Sequence, residues 1–227
     1  MVGVTGSIPV APTIISTRSS AQVSSAMVND KPIVFATLGP SGTNHELVTR
    51  RYIDFHNIER AKIVLVDSFG LAIEALRAGE ADYVVQCAVH PDTPNTLGAN
   101  FRDVFAVDAF ISPSKDLAVV TRNDVSNPKS IGLVRPSTEK YVDLGAWREV
   151  HGASSIPAAF ENLLKGAYDS ALVYREYADK HPDRVRIDTI VGSPDDVWIV
   201  YGRERASNGG LVAWPDSAVG RKTRSGM

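Results

Sequence analysis

Ala36-Thr37-Leu38-Gly39-Pro40-Ser41-Gly42-Thr43-Asn44-His45-Glu46 is the stretch on which the rest of the chain is read. Apolar Ile33-Val34-Phe35 precedes it, and Leu47, Val48, Tyr52 and Ile53 follow at helical spacing. It therefore reads as a strand, a Gly-Pro turn and a helix start. Gly39 and Gly42 let the backbone turn tightly and come close to a ligand. Ser41 and Thr43 are candidate N-caps. A helix opened this way presents unpaired N–H groups and a positive dipole end, which suits an anion such as a carboxylate. An ordinary strand-to-helix turn has the same composition. What favours the ligand reading is that the chain offers more turns of this kind.

The chain has 227 residues, 44% of them hydrophobic, with a formal net charge of −2. That is enough for one or two α/β lobes with a real core. Near-neutral charge argues against nucleic acid or an anionic membrane as the main partner. No apolar run approaches the roughly 18 residues that span a bilayer. The single cysteine, Cys87, rules out an intrachain disulfide and a Cys-based zinc site. The five histidines contain no His-x-x-x-His pair, so a structural metal is not expected. A reduced, cytoplasmic setting is the default. No Lys or Arg precedes Arg18, where a secretory signal would carry a basic segment. Residues 1–31 are rich in Ser, Thr, Ala and Val and broken by Pro9 and Pro12. They are expected to be a disordered extension, with Met27 as an alternative natural start.

From Lys31 onward strands and helices alternate. Ile33–Thr37 leads into a helix near Asn44–His56, and Ile63–Val66 is a buried strand. Asp67 and Ser68 cap a helix with Leu71, Ile73, Ala75 and Leu76 on its apolar face, ending at Gly79. Ala81–Cys87 is the next strand and runs into a turn-rich loop, Val89–Asn95. Val104–Ile111 and Leu117–Thr121 are further strands. This run implies a mainly parallel sheet with helices on its faces. A second unit follows Asn127-Pro128. It starts with strand Ser130–Val134 and a helix opened by Arg135-Pro136-Ser137-Thr138 and continuing through Trp147. Ser154-Ser155-Ile156-Pro157 opens a helix through Phe160 and Leu164. Strand Ser170–Val173, a short helix Glu176–Lys180 and strands Arg184–Val191 and Val197–Tyr201 complete the unit. Residues 32–112 with 189–205 are assigned to lobe 1 and 113–188 to lobe 2, with 206–227 a flexible tail.

Four Ser/Thr-rich turns, at Gly39–Thr43, Asp67–Ser68, Arg135–Thr138 and Ser154–Pro157, share one device: a strand ends and a helix opens. In open α/β sheets such turns lie at the carboxyl ends of strands, where ligands bind. Two lobes facing each other can aim several helix N-termini at one cleft. The natural guest is a small anionic molecule, although Ser and Thr also cap helices without any ligand. The fold class expected is α/β, with two small mixed-sheet lobes and a cleft between them.

The order of these pieces resembles the catalytic domain of prephenate dehydratases, a two-lobed fold related to type 2 periplasmic binding proteins. That family opens with Leu-Gly-Pro-x-Gly-Thr, here Leu38-Gly39-Pro40-Ser41-Gly42-Thr43. It continues with Gly-Glu-Ala-Asp-Tyr before a strand, here Gly79-Glu80-Ala81-Asp82-Tyr83. Its second lobe carries Ser-Thr-x-x-Ala-Ala, matched by Ser154-Ser155-Ile156-Pro157-Ala158-Ala159. The similarity covers about residues 33–204. Where the dehydratases have Pro-Ile-Glu-Asn-Ser, this chain has Cys87-Ala88-Val89-His90-Pro91. The Thr-Arg-Phe signature, which supplies the dehydration acid, is replaced by Asp196-Val197-Trp198. No regulatory ACT domain follows, so phenylalanine feedback of the usual kind is not expected. The bacilysin-type prephenate decarboxylases are similar in lacking the ACT domain and Thr-Arg-Phe and in carrying a Trp near the place of Trp198. The resemblance thus implies a cofactor-independent lyase of the decarboxylase kind. The alternatives are a dehydratase releasing phenylpyruvate, or a non-catalytic small-carboxylate binding protein of the same fold. A homodimer is the default assembly.

On this reading Ser41, Gly42 and Thr43 hold one carboxylate, with Ser68 at a further helix start. Arg135, with Ser137 and Thr138, holds the other, because a guanidinium matches a carboxylate bidentately; Arg135 can equally be a surface charge. Ser154 and Ser155 bind the side-chain oxo acid or simply cap their helix. His90 either donates a proton near neutral pH or is an exposed loop residue. Asp196 is an acid or base, or a turn residue, and Ser193-Pro194 beside it favours the turn. Thr43, His90 and Asp196 are the catalytic candidates. Trp198 is read as core, Cys87 as a buried strand residue, and His45 as an ordinary helix-start residue.

Overall fold

The opening turn folds as its sequence indicates. In the computed structural model, which describes residues 31–224, β1 (Ile33–Leu38) buries Val34, Phe35 and Ala36 and passes into α1 (Asn44–Phe55). Thr43 is the N-cap, its hydroxyl oxygen accepting from the Glu46 N–H. β2 (Ala61–Val66) follows, then α2 (Phe69–Ala78), capped by Ser68 and closed by Gly79 at φ 74°, a left-handed position that glycine takes without strain. β3 (Tyr83–Cys87) comes next. The expected loop after it instead forms α3 (Thr93–Asn100), started by Pro94 in its first turn. Its sequence has no apolar stripe, and that is why the helix was not legible. β4 (Phe105–Pro113) and β5 (Leu117–Arg122) complete the first half.

β6 (Ser130–Leu133) begins the second unit. The helix expected over residues 135–147 is absent. Two single 3₁₀ turns, Glu139–Tyr141 and Leu144–Ala146, stand there with Val142 and Asp143 extended between them. The Asp143 carboxylate accepts from the Gly145 N–H, a local bond that competes with helix. β7 (Glu149–Gly152) then adds a strand the sequence did not reveal. α4 (Ile156–Leu164), β8 (Ser170–Tyr174), α5 (Arg175–Lys180), β9 (Val185–Gly192) and β10 (Asp195–Gly202) follow, with α6 (Ala218–Arg224) in the tail. The extension expected over 1–31 lies outside the described residues apart from Lys31, as do residues 225–227.

Two five-stranded mixed sheets result. The first has the order β2-β1-β3-β10-β4, with β1 parallel to β2 and β3 and with β10 antiparallel to β3 and β4. The second has the order β7-β6-β8-β5-β9. β9 pairs with β5 as far as Gly192 opposite Leu117, so residues 189–192, expected with lobe 1, belong to the second sheet. The chain therefore crosses between sheets twice, after β4 and after β9. The two crossings lie side by side, because the Ser114 N–H donates to Pro194 O at 2.9 Å.

Each sheet carries its own core. α2 covers one face of the first sheet through Phe69, Ile73 and Leu76 against Val34, Val84 and Tyr201. α1 covers the other through Val48 and Ile53 against Phe35, Val85, Trp198 and Val200. In the second sheet α4 lays Ile156, Phe160 and Leu163 over Ile131, Leu133 and Leu172. Gly132 lets Tyr168 lie flat on β6: a Cβ there would sit 2.0 Å from the ring, and the ring is held by its hydroxyl bond to Ala159 O at 2.7 Å. Gly132→Ala is expected to destabilise the fold by about 2 kcal/mol. Urea unfolding measures it, and an unchanged midpoint would contradict this packing.

Candidate functional site

The carboxyl ends of β1, β3, β6 and β8 and the start of β10 meet across the cleft between the sheets, around a cavity of about 140 Å³. α1 brings Thr43, Asn44 and His45 to its wall, and α4 brings Ser154, Ser155 and Ile156. The two helices start as their sequences dictate. Thr43 caps the first, and Ser155 caps the second by accepting from the Ala158 N–H at 3.2 Å. Ser137, Thr138 and Tyr141 line the second-lobe side, and His90, Ser114, Asp196 and Trp198 the first.

The titratable groups on this wall are all held toward their uncharged forms. His45 is enclosed by Phe69, His90 and Trp198, at ring-centre distances of 5.5, 5.8 and 5.1 Å. Burial, with a smaller contribution from neighbouring His90, pulls its pKa down to about 3. Its Nε2 accepts from the Cys87 N–H at 3.4 Å, so the ring is neutral with its proton on Nδ1. His90 is lowered by burial against the opposing pull of Asp92, and its Nδ1 accepts from the Asp92 N–H at 3.2 Å. Its proton therefore sits on Nε2. Asp196 is raised, chiefly by burial and further by Asp195, while the bond donated by the Ser114 hydroxyl works the other way. Burial also pushes the Cys87 thiol up to about 11, in keeping with a buried strand residue.

Among the described residues no Lys or Arg lines the cavity. An anion in it would be received by hydroxyls and helix-start N–H groups, not by a cation. The described residues also hold no cluster of His, Cys, Asp and Glu that could bind a metal ion, and no helix long and apolar enough to cross a membrane.

Thr43, His90, Ser137, Thr138, Ser154, Ser155 and Asp196 are thus gathered on one cavity, while Ser41, Gly42, Ser68 and Arg135 are not. Each of the four has a local reason. The Glu46 carboxylate accepts from the Gly42 N–H at 2.7 Å and the Ser41 hydroxyl at 2.8 Å, so the chain's own anion fills the place foreseen for a substrate. Ser68 is spent on the α2 cap, accepting from the Leu71 N–H at 3.3 Å. Arg135 is exposed and paired with Glu139 at 2.8 Å. Asp196 is not a turn residue; it lies in β10 and faces the cavity. Trp198 is 1% exposed and packs the core as expected, yet also lines the wall. Asn44, His45, Ser114, Tyr141 and Tyr174 were not foreseen here. For Asn44 and His45 a signal existed, because they occupy the first turn of the helix that opens toward the cleft.

No protein-family model and no curated protein matches this chain. Solved structures do. A prephenate dehydratase from Arthrobacter aurescens, in complex with L-Phe, is 22% identical with a TM-score of 0.57, over 80% of this chain and 63% of that one. An ABC transporter structure from Parabacteroides distasonis is 16% identical with a TM-score of 0.51, over 76% and 66% of the two chains. The periplasmic VFT2 domain of Bordetella pertussis BvgS is 15% identical with a TM-score of 0.49, over 75% and 80%. This chain spans less than two thirds of the dehydratase's length. The cytoplasmic setting expected from cysteine content is withdrawn, because the same architecture occurs in an ABC transporter structure. What the likeness shows is the architecture: two mixed-sheet lobes of the type 2 periplasmic-binding-protein kind.

Proposed function

We propose that the cleft binds a small, single-ring carboxylic acid and that the chain is a cofactor-independent lyase acting on prephenate or a similar cyclohexadiene carboxylate, with dehydration accompanying decarboxylation. The observation that carries this reading is Asp196. Sequence alone favoured a decarboxylase because the closing strand had lost its dehydration acid. A carboxyl nevertheless faces the cleft from that strand, with its pKa raised by burial, the direction that favours a proton donor.

In the reaction proposed, the ring carboxylate leaves as CO₂ and its bonding pair enters the ring. The ring hydroxyl departs as water with the proton of Asp196, which is then restored from solvent. The product, phenylpyruvate, is aromatic, and this drives the step. The Ser155 hydroxyl and the helix starts of α1 and α4 would hold the carboxylates, while the Thr43 hydroxyl, which donates to Leu38 O at 3.3 Å, keeps the α1 start in place. Similarity to a prephenate dehydratase structure agrees with this reading at the level of fold.

Incubating purified protein with prephenate and identifying products by mass and ultraviolet spectrum tests the proposal. Phenylpyruvate is the expected product. A non-aromatic decarboxylated product would return the chain to the decarboxylases, and binding without turnover would make it a binding protein.

A further inference from the structure

Tyr174 closes β8 in the second lobe and is 2% exposed, and it lines the cavity. Its phenol oxygen accepts from the N–H of Asn44, the first residue of α1 in the opposite lobe, at 3.0 Å. The hydroxyl hydrogen, by contrast, has no acceptor among the described residues. A buried phenol that accepts one bond and donates none is incompletely satisfied, and the open side of this one is the cavity. Lys115 stands over the ring at 4.9 Å, its ammonium donating to Gly42 O at 2.8 Å and to Glu176 at 2.7 Å. Ring and helix start are thereby fixed relative to each other.

We infer that Tyr174 is a ligand-binding residue, donating its hydroxyl hydrogen to a carboxylate oxygen of the acid in the cleft while its oxygen accepts from Asn44. The inference rests on the carboxylic-acid reading of the cleft. Burial holds the phenol well above its ordinary pKa, so it stays a donor at neutral pH. The chain of two bonds, helix N–H to phenol and phenol to carboxylate, passes the positive end of the α1 dipole on to the ligand, each bond polarising the next. It also means that one side chain reports to both lobes. α1 cannot offer the Asn44 N–H to the ligand directly while the lobes stay as they are, and the phenol stands in its place.

The test is calorimetric titration of phenylpyruvate, a stable ring-bearing oxo acid, into the wild-type chain and Tyr174→Phe, with prephenate turnover measured in parallel. Tyr174→Phe is expected to bind about ten- to a hundredfold more weakly, with its melting temperature lowered by only a few degrees, because the ring remains while the Asn44 N–H loses its acceptor. Equal affinity in the two would overturn the inference and leave the proposed function standing. Failure of the wild type both to bind phenylpyruvate and to turn over prephenate would overturn both. Should the phenylalanine variant not fold, 3-fluorotyrosine at position 174 tests the same contact. Its fluorine signal is expected to move on adding phenylpyruvate, and a stationary signal contradicts the contact.

Discussion

Asp196→Asn is expected to lower kcat on prephenate by about 10²–10⁴-fold, the usual contribution of a positioned general acid. The amide keeps the size of the side chain and still accepts the Ser114 hydroxyl bond, so what is lost is the transferable proton. Phenylpyruvate affinity should then change by no more than about threefold, because the carboxylates are held by other groups. The wild-type rate should also fall as pH rises through the raised pKa of Asp196, since only the protonated form can donate. The asparagine variant should lose that dependence in its residual activity. Turnover within about tenfold of wild type would remove Asp196 from the reaction.

Acid should unfold this protein partly through His45. In the folded chain its pKa lies near 3, against an ordinary value of 6.5, so the folded state binds a proton less readily than the unfolded one. The stability linked to this difference is fully present above pH 6.5 and is lost as pH falls toward 3. Between pH 7 and pH 4 the loss is about 3 kcal/mol, at 1.36 kcal/mol per pH unit. His45→Gln leaves an acceptor for the Cys87 N–H and removes the titration. Its unfolding free energy should therefore decline less steeply over the same interval, by about that amount. The lowered carboxyls of Glu46 and Glu176 lose stability in acid in both proteins and cancel in the comparison. Parallel pH profiles for the two proteins would show that His45 is not held neutral by the fold.

The fold was legible wherever a turn carried its own chemistry. Leu38-Gly39-Pro40-Ser41-Gly42-Thr43 and Ser154-Ser155-Ile156-Pro157 specify a strand end and a capped helix within a few residues, and both helices formed where read. Arg135-Pro136-Ser137-Thr138 looked alike, but Asp143 and Gly145 downstream favour local turns, and no helix follows. Of the cleft-lining hydroxyls, those legible in the sequence were the two that cap helices, Thr43 and Ser155. The site's charges were not legible. Whether Arg135 reaches a ligand depends on Glu139, which claims it, and whether the Gly42 amide is free depends on Glu46. Tyr174 could not be found at all from sequence, because its role depends on a contact with Asn44, 130 residues away.

The proposed function requires that α1 of the first lobe and α4 of the second act on one bound acid. Titrating the isotopically labelled chain with phenylpyruvate, while following backbone amide resonances, measures this without any variant. His45 at the start of α1 and Ile156 at the start of α4 are expected to shift together along a single binding curve. Shifts confined to one lobe, or separate curves for the two amides, would contradict it.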